Sequence, residues 1–205
     1  MDRDALQAAV VLRLGLPSAG DPRVTTAVIQ GHINEALRKV STERDWPWLL
    51  TSASLTLTTG TAATPARFMS ARRLVIGGRR ARFVPLDEWL DTTRETPVWT
   101  IIGTNVQLAP TPTAALTGTL YYYAAEADLA SGSASPTMPA HLHDVIVHYA
   151  THLGALARQD DAKAADNLSL YDAAVKKMSK DFAVSPKARR VRMRTENAEF
   201  WASWS

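Results

Sequence analysis

The run Leu37-Arg38-Lys39-Val40-Ser41-Thr42-Glu43-Arg44-Asp45-Trp46-Pro47-Trp48-Leu49 ends one pattern, and Leu55-Thr56-Leu57-Thr58 opens another. Upstream, Ile29, Ile33, Leu37 and Val40 recur at helical spacing and predict a helix from about Thr25 to Arg44. Proline disfavours helical backbone in the residue before it, so Pro47 ends this helix at Trp46. Downstream, leucine and threonine alternate with a period of two, which predicts a strand with one wet face. Two indoles sit at the changeover, and Pro47 fixes their relative direction. Trp46, Pro47 and Trp48 are therefore expected to form a structural junction between a helical and a β-rich part, with both rings largely buried.

The β pattern persists to residue 123. Leu74-Val75-Ile76, Gly77-Gly78 and Arg80-Ala81-Arg82-Phe83 read as a hairpin, because the two glycines supply the positive φ of a tight turn. Pro85 to Asp91 reads as a helical turn with Leu86, Trp89 and Leu90 on its apolar side. A second hairpin joins Val98–Ile102 to Val106–Leu108, and Leu120–Tyr123 is the last strand, with tyrosines on both faces.

On either side the period is helical. Leu6, Val10 and Leu14 predict a helix over residues 3–14, ended by Gly15 and Pro17. Leu142, Val145, Ile146, Tyr149, Leu153 and Leu156 form one stripe, and Ala164, Leu168, Tyr171, Val175, Met178 and Phe182 form the next, up to Ser185-Pro186. The expected fold class is α+β. A bundle of about four helices (1–50 and 137–184) is interrupted by an antiparallel β-rich insertion (51–125), followed by a linker (126–136) and an extended C-terminal arm (185–205).

Composition narrows the function. The chain has 205 residues and no cysteine, which excludes disulfides and thiolate metal sites. Its start lacks a secretory pattern, and no apolar run nears the roughly 18 residues of a membrane span, so no membrane association is expected. The net charge of +3 is unevenly spread. Lys187, Arg189, Arg190, Arg192 and Arg194 form an acid-free cluster, followed by Phe200, Trp201 and Trp204. Exposed aromatic residues are unfavourable in water, and Trp and Arg are common interface anchors, so this tail is expected to dock on a partner.

Other clusters have plainer explanations. His148 and His152 lie one turn apart, with Asp144 one turn before, but no glutamate lies between the histidines as a metalloprotease helix requires. With His141 and His143 they read as a wet face or a subunit contact, and no metal is expected. Asp87, Glu88, Asp91 and Glu95 read as a solvated turn rather than an acid/base pair. No nucleophile elbow or phosphate-cradling loop is present, so no catalytic residue and no cofactor is assigned. Arg72, Arg73, Arg79, Arg80 and Arg82 form a basic patch, either a contact for phosphate or an acidic partner, or a strand edge charged against aggregation.

The order of features resembles the head-to-tail adaptor (connector) proteins of tailed bacteriophages. The matching residues are Ile33-Asn34-Glu35-Ala36-Leu37 leading to Arg44-Asp45-Trp46-Pro47-Trp48-Leu49, then Gln107-Leu108-Ala109-Pro110-Thr111-Pro112 and Leu120-Tyr121-Tyr122-Tyr123. Met138-Pro139 then opens a helix carrying His143, Val147 and Tyr149-Ala150. The resemblance covers most of residues 25–183. It implies a helical bundle with a β-rich insertion, in a dodecameric ring that binds the portal protein on one side and the next tail or neck protein on the other. DNA passes through its lumen without sequence recognition. The expected location is the virion neck, after assembly in the host cytoplasm. The tail is then the portal-binding segment, and the basic hairpin a possible second contact. The competing readings are a nucleic-acid-binding module using the basic hairpin and tail, and a hydrolase built on the carboxylates.

Overall fold

The computed structural model describes residues 1–16, 21–91 and 97–182. In chain order the elements are α1 (Arg3–Leu14), α2 (Thr26–Glu43), β1 (Leu50–Leu57), β2 (Thr61–Ala63), β3 (Phe68–Ile76), β4 (Arg79–Phe83), α3 (Leu86–Asp91), β5 (Val98–Ile102), β6 (Asn105–Ala109), β7 (Leu116–Ala124), α4 (Asp144–Ala157) and α5 (Asp161–Asp181). Single 3-10 turns lie at Pro47–Leu49 and Ala140–Leu142. The described residues form two compact units, one of residues 1–49 and 125–182, the other of residues 50–124.

The expected fold class is corrected here. The chain is a mixed α/β protein with five α-helices and one seven-stranded sheet among its described residues, not a helical bundle with a small β insertion. The strand order β1-β7-β3-β4-β5-β6-β2 makes the sheet nearly a closed barrel. Its first and last strands are joined by the tight turn at Thr59-Gly60, where Thr58 and Thr61 exchange backbone hydrogen bonds of 3.0–3.1 Å. The Gly60 carbonyl also accepts from Leu108 N–H at 2.8 Å. Gly60 has φ +77°, and a Cβ there would lie 2.9 Å from the Leu108 oxygen. The sheet is not wholly antiparallel either, since β4 and β5 pair in parallel, Arg82 beside Val98 and Phe83 beside Trp99. A parallel pair needs a crossover, and α3 lies in that connection. Hairpin signals report only sequence neighbours, so neither the crossover nor the three-residue β2 was visible in the pattern.

Inside the barrel the period of two holds. Leu55 and Leu57, Leu74 and Ile76, Val106 and Leu108, and Leu120 and Tyr122 enclose Trp99, which donates from Nε1 to the Ala81 carbonyl at 3.2 Å. The glycine turn is as expected: Ile76 pairs with Arg79 across Gly77 and Gly78, whose φ values are 55° and 78°.

The helical unit is built around α4, which packs against α1, α2 and α5. Its buried residues are Val145, Ile146, Val147, Ala150, Thr151, Gly154 and Ala155, while Leu156 is 46% exposed. The single stripe read from the sequence is thus corrected to a broader face rich in small residues. A Cβ on Gly154 would lie 2.8 Å from Leu14 Cδ1, so the small residue permits the close approach of α1. On α5 the buried residues are Ala164, Asn167, Tyr171 and Met178, with Leu168 exposed. Residues 125–138 are bonded to this unit: Glu126 N–H donates to Ser41 Oγ and Leu129 N–H to Asn34 Oδ1. The buried Glu126 carboxylate accepts from Thr137 Oγ1 (2.5 Å), Met138 N–H (3.1 Å) and Thr137 N–H (3.3 Å).

Trp46 is fully buried in the helical unit and Trp48 half-buried. The rings stack at 5.0 Å, and Phe182 meets both edge-on. Trp46 Nε1 donates to the Val40 carbonyl at 2.7 Å, which ties the end of α2 to the indole. Truncation leaves a cavity and removes this bond. Trp46→Ala is expected to lower stability by about 3–5 kcal/mol, measured by chemical unfolding, and a loss below about 1 kcal/mol contradicts the packing role.

Candidate interaction surfaces

Between residues 50 and 84 there are six arginines and no acidic residue. The fold places most of them on the outside of one sheet region. Along β7, Tyr122 points inward and stacks on Phe68 at 5.7 Å. Tyr121 and Tyr123 alternate to the other face. Strand β3 then departs from regular pairing: Ala71 is opposite Tyr122 and Arg73 opposite Tyr121, which leaves Arg72 as the extra residue of a bulge. With Ala71 and Leu74 both facing the core, regular alternation would turn one of the two arginines between them inward. The bulge instead sends both arginines to the outer face. Arg73 lies 4.1 Å above the centre of the Tyr121 ring, and Arg72 Nη1 donates to the Tyr123 hydroxyl at 2.6 Å. Both arginines stay exposed, with their directions set by the tyrosines.

The other arginines of the predicted patch lie on β4. Arg80 is exposed, and Arg79, half-buried, begins the strand opposite Ile76. Arg82 pairs with Glu88 of α3 at 2.8 Å. Helix α3 packs against β5 and shows an apolar side to solvent: Leu86 is 44% exposed and Leu90 72%. Phe83 beside them is 51% exposed, its ring edge-on to Trp99 at 5.0 Å. The sequence marked Leu86 and Leu90 as apolar, but their exposure depends on how α3 is laid on the sheet.

The remaining predicted residues separate. Asp87 and Glu88 are exposed on α3, and the side chains of Asp91 and Glu95 lie outside the described residues. His143 is buried, with Nε2 2.9 Å from the Met138 carbonyl and Nδ1 2.7 Å from the N-terminal amine of Met1. His152 Nδ1 lies 2.9 Å from the Ala164 carbonyl, and Arg13 Nη1 lies 2.6 Å from His148 Nδ1. Among the described residues no three His, Asp or Glu side chains converge as metal ligands. No described helix is long and apolar enough to cross a membrane. Lys187, Arg189, Arg190, Arg192, Arg194, Phe200, Trp201 and Trp204 lie outside the described residues.

Set beside known protein families, residues 1–196 match the SU10 adaptor protein. The chain belongs to the SU10 adaptor protein family. This is a family of phage adaptors, structural proteins that associate with other head and tail proteins. No curated protein matches the chain.

One pH response follows from the helical unit. Burial, and then the Arg13 guanidinium, hold the His148 imidazole below its ordinary value, against the opposing effects of Asn167 and Asp144. Burial lowers His32 in the same way. The native state thus prefers the neutral rings. Their contribution is full above the ordinary histidine pKa of about 6.5 and is lost as pH falls through that value toward the lowered native one. Chemical unfolding at pH 7.5 and 5.5 should show lower stability at the acid end, and His148→Gln should flatten the difference.

Proposed function

We propose that the adaptor forms a ring below the portal at the virion neck and joins the phage head to the tail, with DNA passing through its centre without sequence recognition. The observation that carries this reading is the family match over residues 1–196, which draws on both units. The partners are then the portal protein, the next tail or neck protein and further copies of the chain, assembled in the host cytoplasm into a dodecamer. The role is structural, with no catalytic step.

Within this reading the C-terminal tail contacts the portal. Its chemistry supports that role, with five cations among residues 187–194 and then Phe200, Trp201 and Trp204. Arginine and tryptophan are the side chains that most often dominate binding energy. The aromatic end lies beyond the residues that the family match covers. Removing residues 187–205 should leave the unfolding midpoint unchanged, because the cores described above are built from earlier residues. Binding to portal, measured by co-sedimentation, should weaken by at least about tenfold. Unchanged affinity moves the portal contact to the arginine surface of β3 and β4.

The acid-free stretch of residues 50–84 favours one alternative, a nucleic-acid-binding module. Phosphate contacts release counterions, so binding of random duplex DNA would then fall steeply with salt. A salt titration separates the two readings. A structural adaptor shows weak DNA binding that leaves its assembly untouched, whereas a binding module loses its main affinity.

A further inference from the structure

We propose that the ring closes head to tail through the β unit: helix α3 of one copy docks on the Tyr121–Arg73 and Tyr123–Arg72 face of the next. This rests on the ring reading above and names the surfaces that form it. Three observations support it.

The first is charge. Within residues 50–124 every acidic residue falls in 87–95, on or just after α3, while six of the seven arginines fall in 67–82. Among the described side chains of α3, Glu88 pairs with Arg82 of the same chain and Asp87 is exposed, so Asp87 is the carboxylate that can meet the arginines of a second copy. The second is placement. Helix α3 lies against β5, whereas the tyrosine–arginine pairs lie on β7 and β3. Strands β7 and β5 are three steps apart in a nearly closed seven-stranded sheet, close to half its circumference. Surfaces that point apart on one subunit are what a head-to-tail contact needs, and such contacts close into rings when the rotation allows.

The third is the chemistry of each side. The α3 side offers Leu86, Leu90 and Phe83 to solvent beside the exposed Asp87. The β7 side offers exposed guanidiniums already oriented by aromatic rings, so less freedom is lost when they engage. Apolar side chains with a flanking carboxylate fit a tyrosine–arginine surface. Leucine against the half-buried Tyr121 removes apolar area from water, and Asp87 accepts from Arg73.

The test uses the full chain, whose lack of cysteine makes introduced thiols unambiguous. Asp87→Cys mixed with Arg73→Cys, treated with a short bis-maleimide, should give a cross-linked dimer. The double variant should give a ladder, and each single variant alone should give neither. Asp87→Lys and Arg73→Glu should each weaken self-association by about tenfold or more, read by sedimentation. An equimolar mixture of the two should recover it, because each altered face then meets its complement. That recovery also shows that both variants fold. Wild-type rings with no cross-link and no effect of charge reversal overturn these surfaces while leaving the ring reading standing. A wild-type chain that stays monomeric at every concentration and on portal overturns both. If Arg73→Glu abolishes retention of random duplex DNA and leaves sedimentation unchanged, the face serves phosphate and the proposal falls.

Discussion

Strand β7 is paired on both sides, with β1 through Leu116–Tyr123 and with β3 through Gly118–Ala124. Side chains of a strand alternate between faces, so this one element divides the inside of the barrel from the outside. Leu120, Tyr122 and Ala124 belong to the barrel core, and Tyr121 and Tyr123 to the opposite face, where Tyr121 is half-buried and Tyr123 buried. A shift of one residue would exchange the two sets, so the burial of Leu120 and Tyr122 also fixes the outer register. The arginine surface therefore depends on apolar packing behind it.

Closure of the sheet has a second consequence. Open strand edges invite pairing with other chains, and a nearly closed sheet leaves little edge to pair. A protein that must assemble with chosen partners gains from this, because its contacts pass through side chains on the outer surface. The exposed leucines of α3 and the oriented arginines of β3 lie on that outer surface.

The helical unit is held differently. Its central helix α4 meets α1, α2 and α5, and the close approach of α1 rests on Gly154. Two polar groups that packing would otherwise strand find partners nearby. The Glu126 carboxylate takes three donors from Thr137 and Met138, and the Trp46 indole satisfies the Val40 carbonyl at the end of α2. Buried polar groups with partners restrict which arrangements of the unit are allowed, because an unmade bond in the interior costs more than the bond contributes.

The sequence by itself determined what depends on near neighbours. Helix α1 runs over the residues its stripe marked, α2 ends before Pro47, and Gly77-Gly78 turns a hairpin because only there can both φ values be positive without strain. The arginines of the basic patch were legible as composition. Their arrangement was not, because the bulge that lets Arg72 and Arg73 share the outer face is a property of β3 against β7, strands far apart in the chain. The same holds for the parallel β4–β5 pair, the three-residue β2, and the seven-residue buried face of α4, all of which arise from partners distant in sequence. Local periodicity records which side chains avoid water. Which strand lies beside which, and so which charges share a surface, was decided only when the sheet closed.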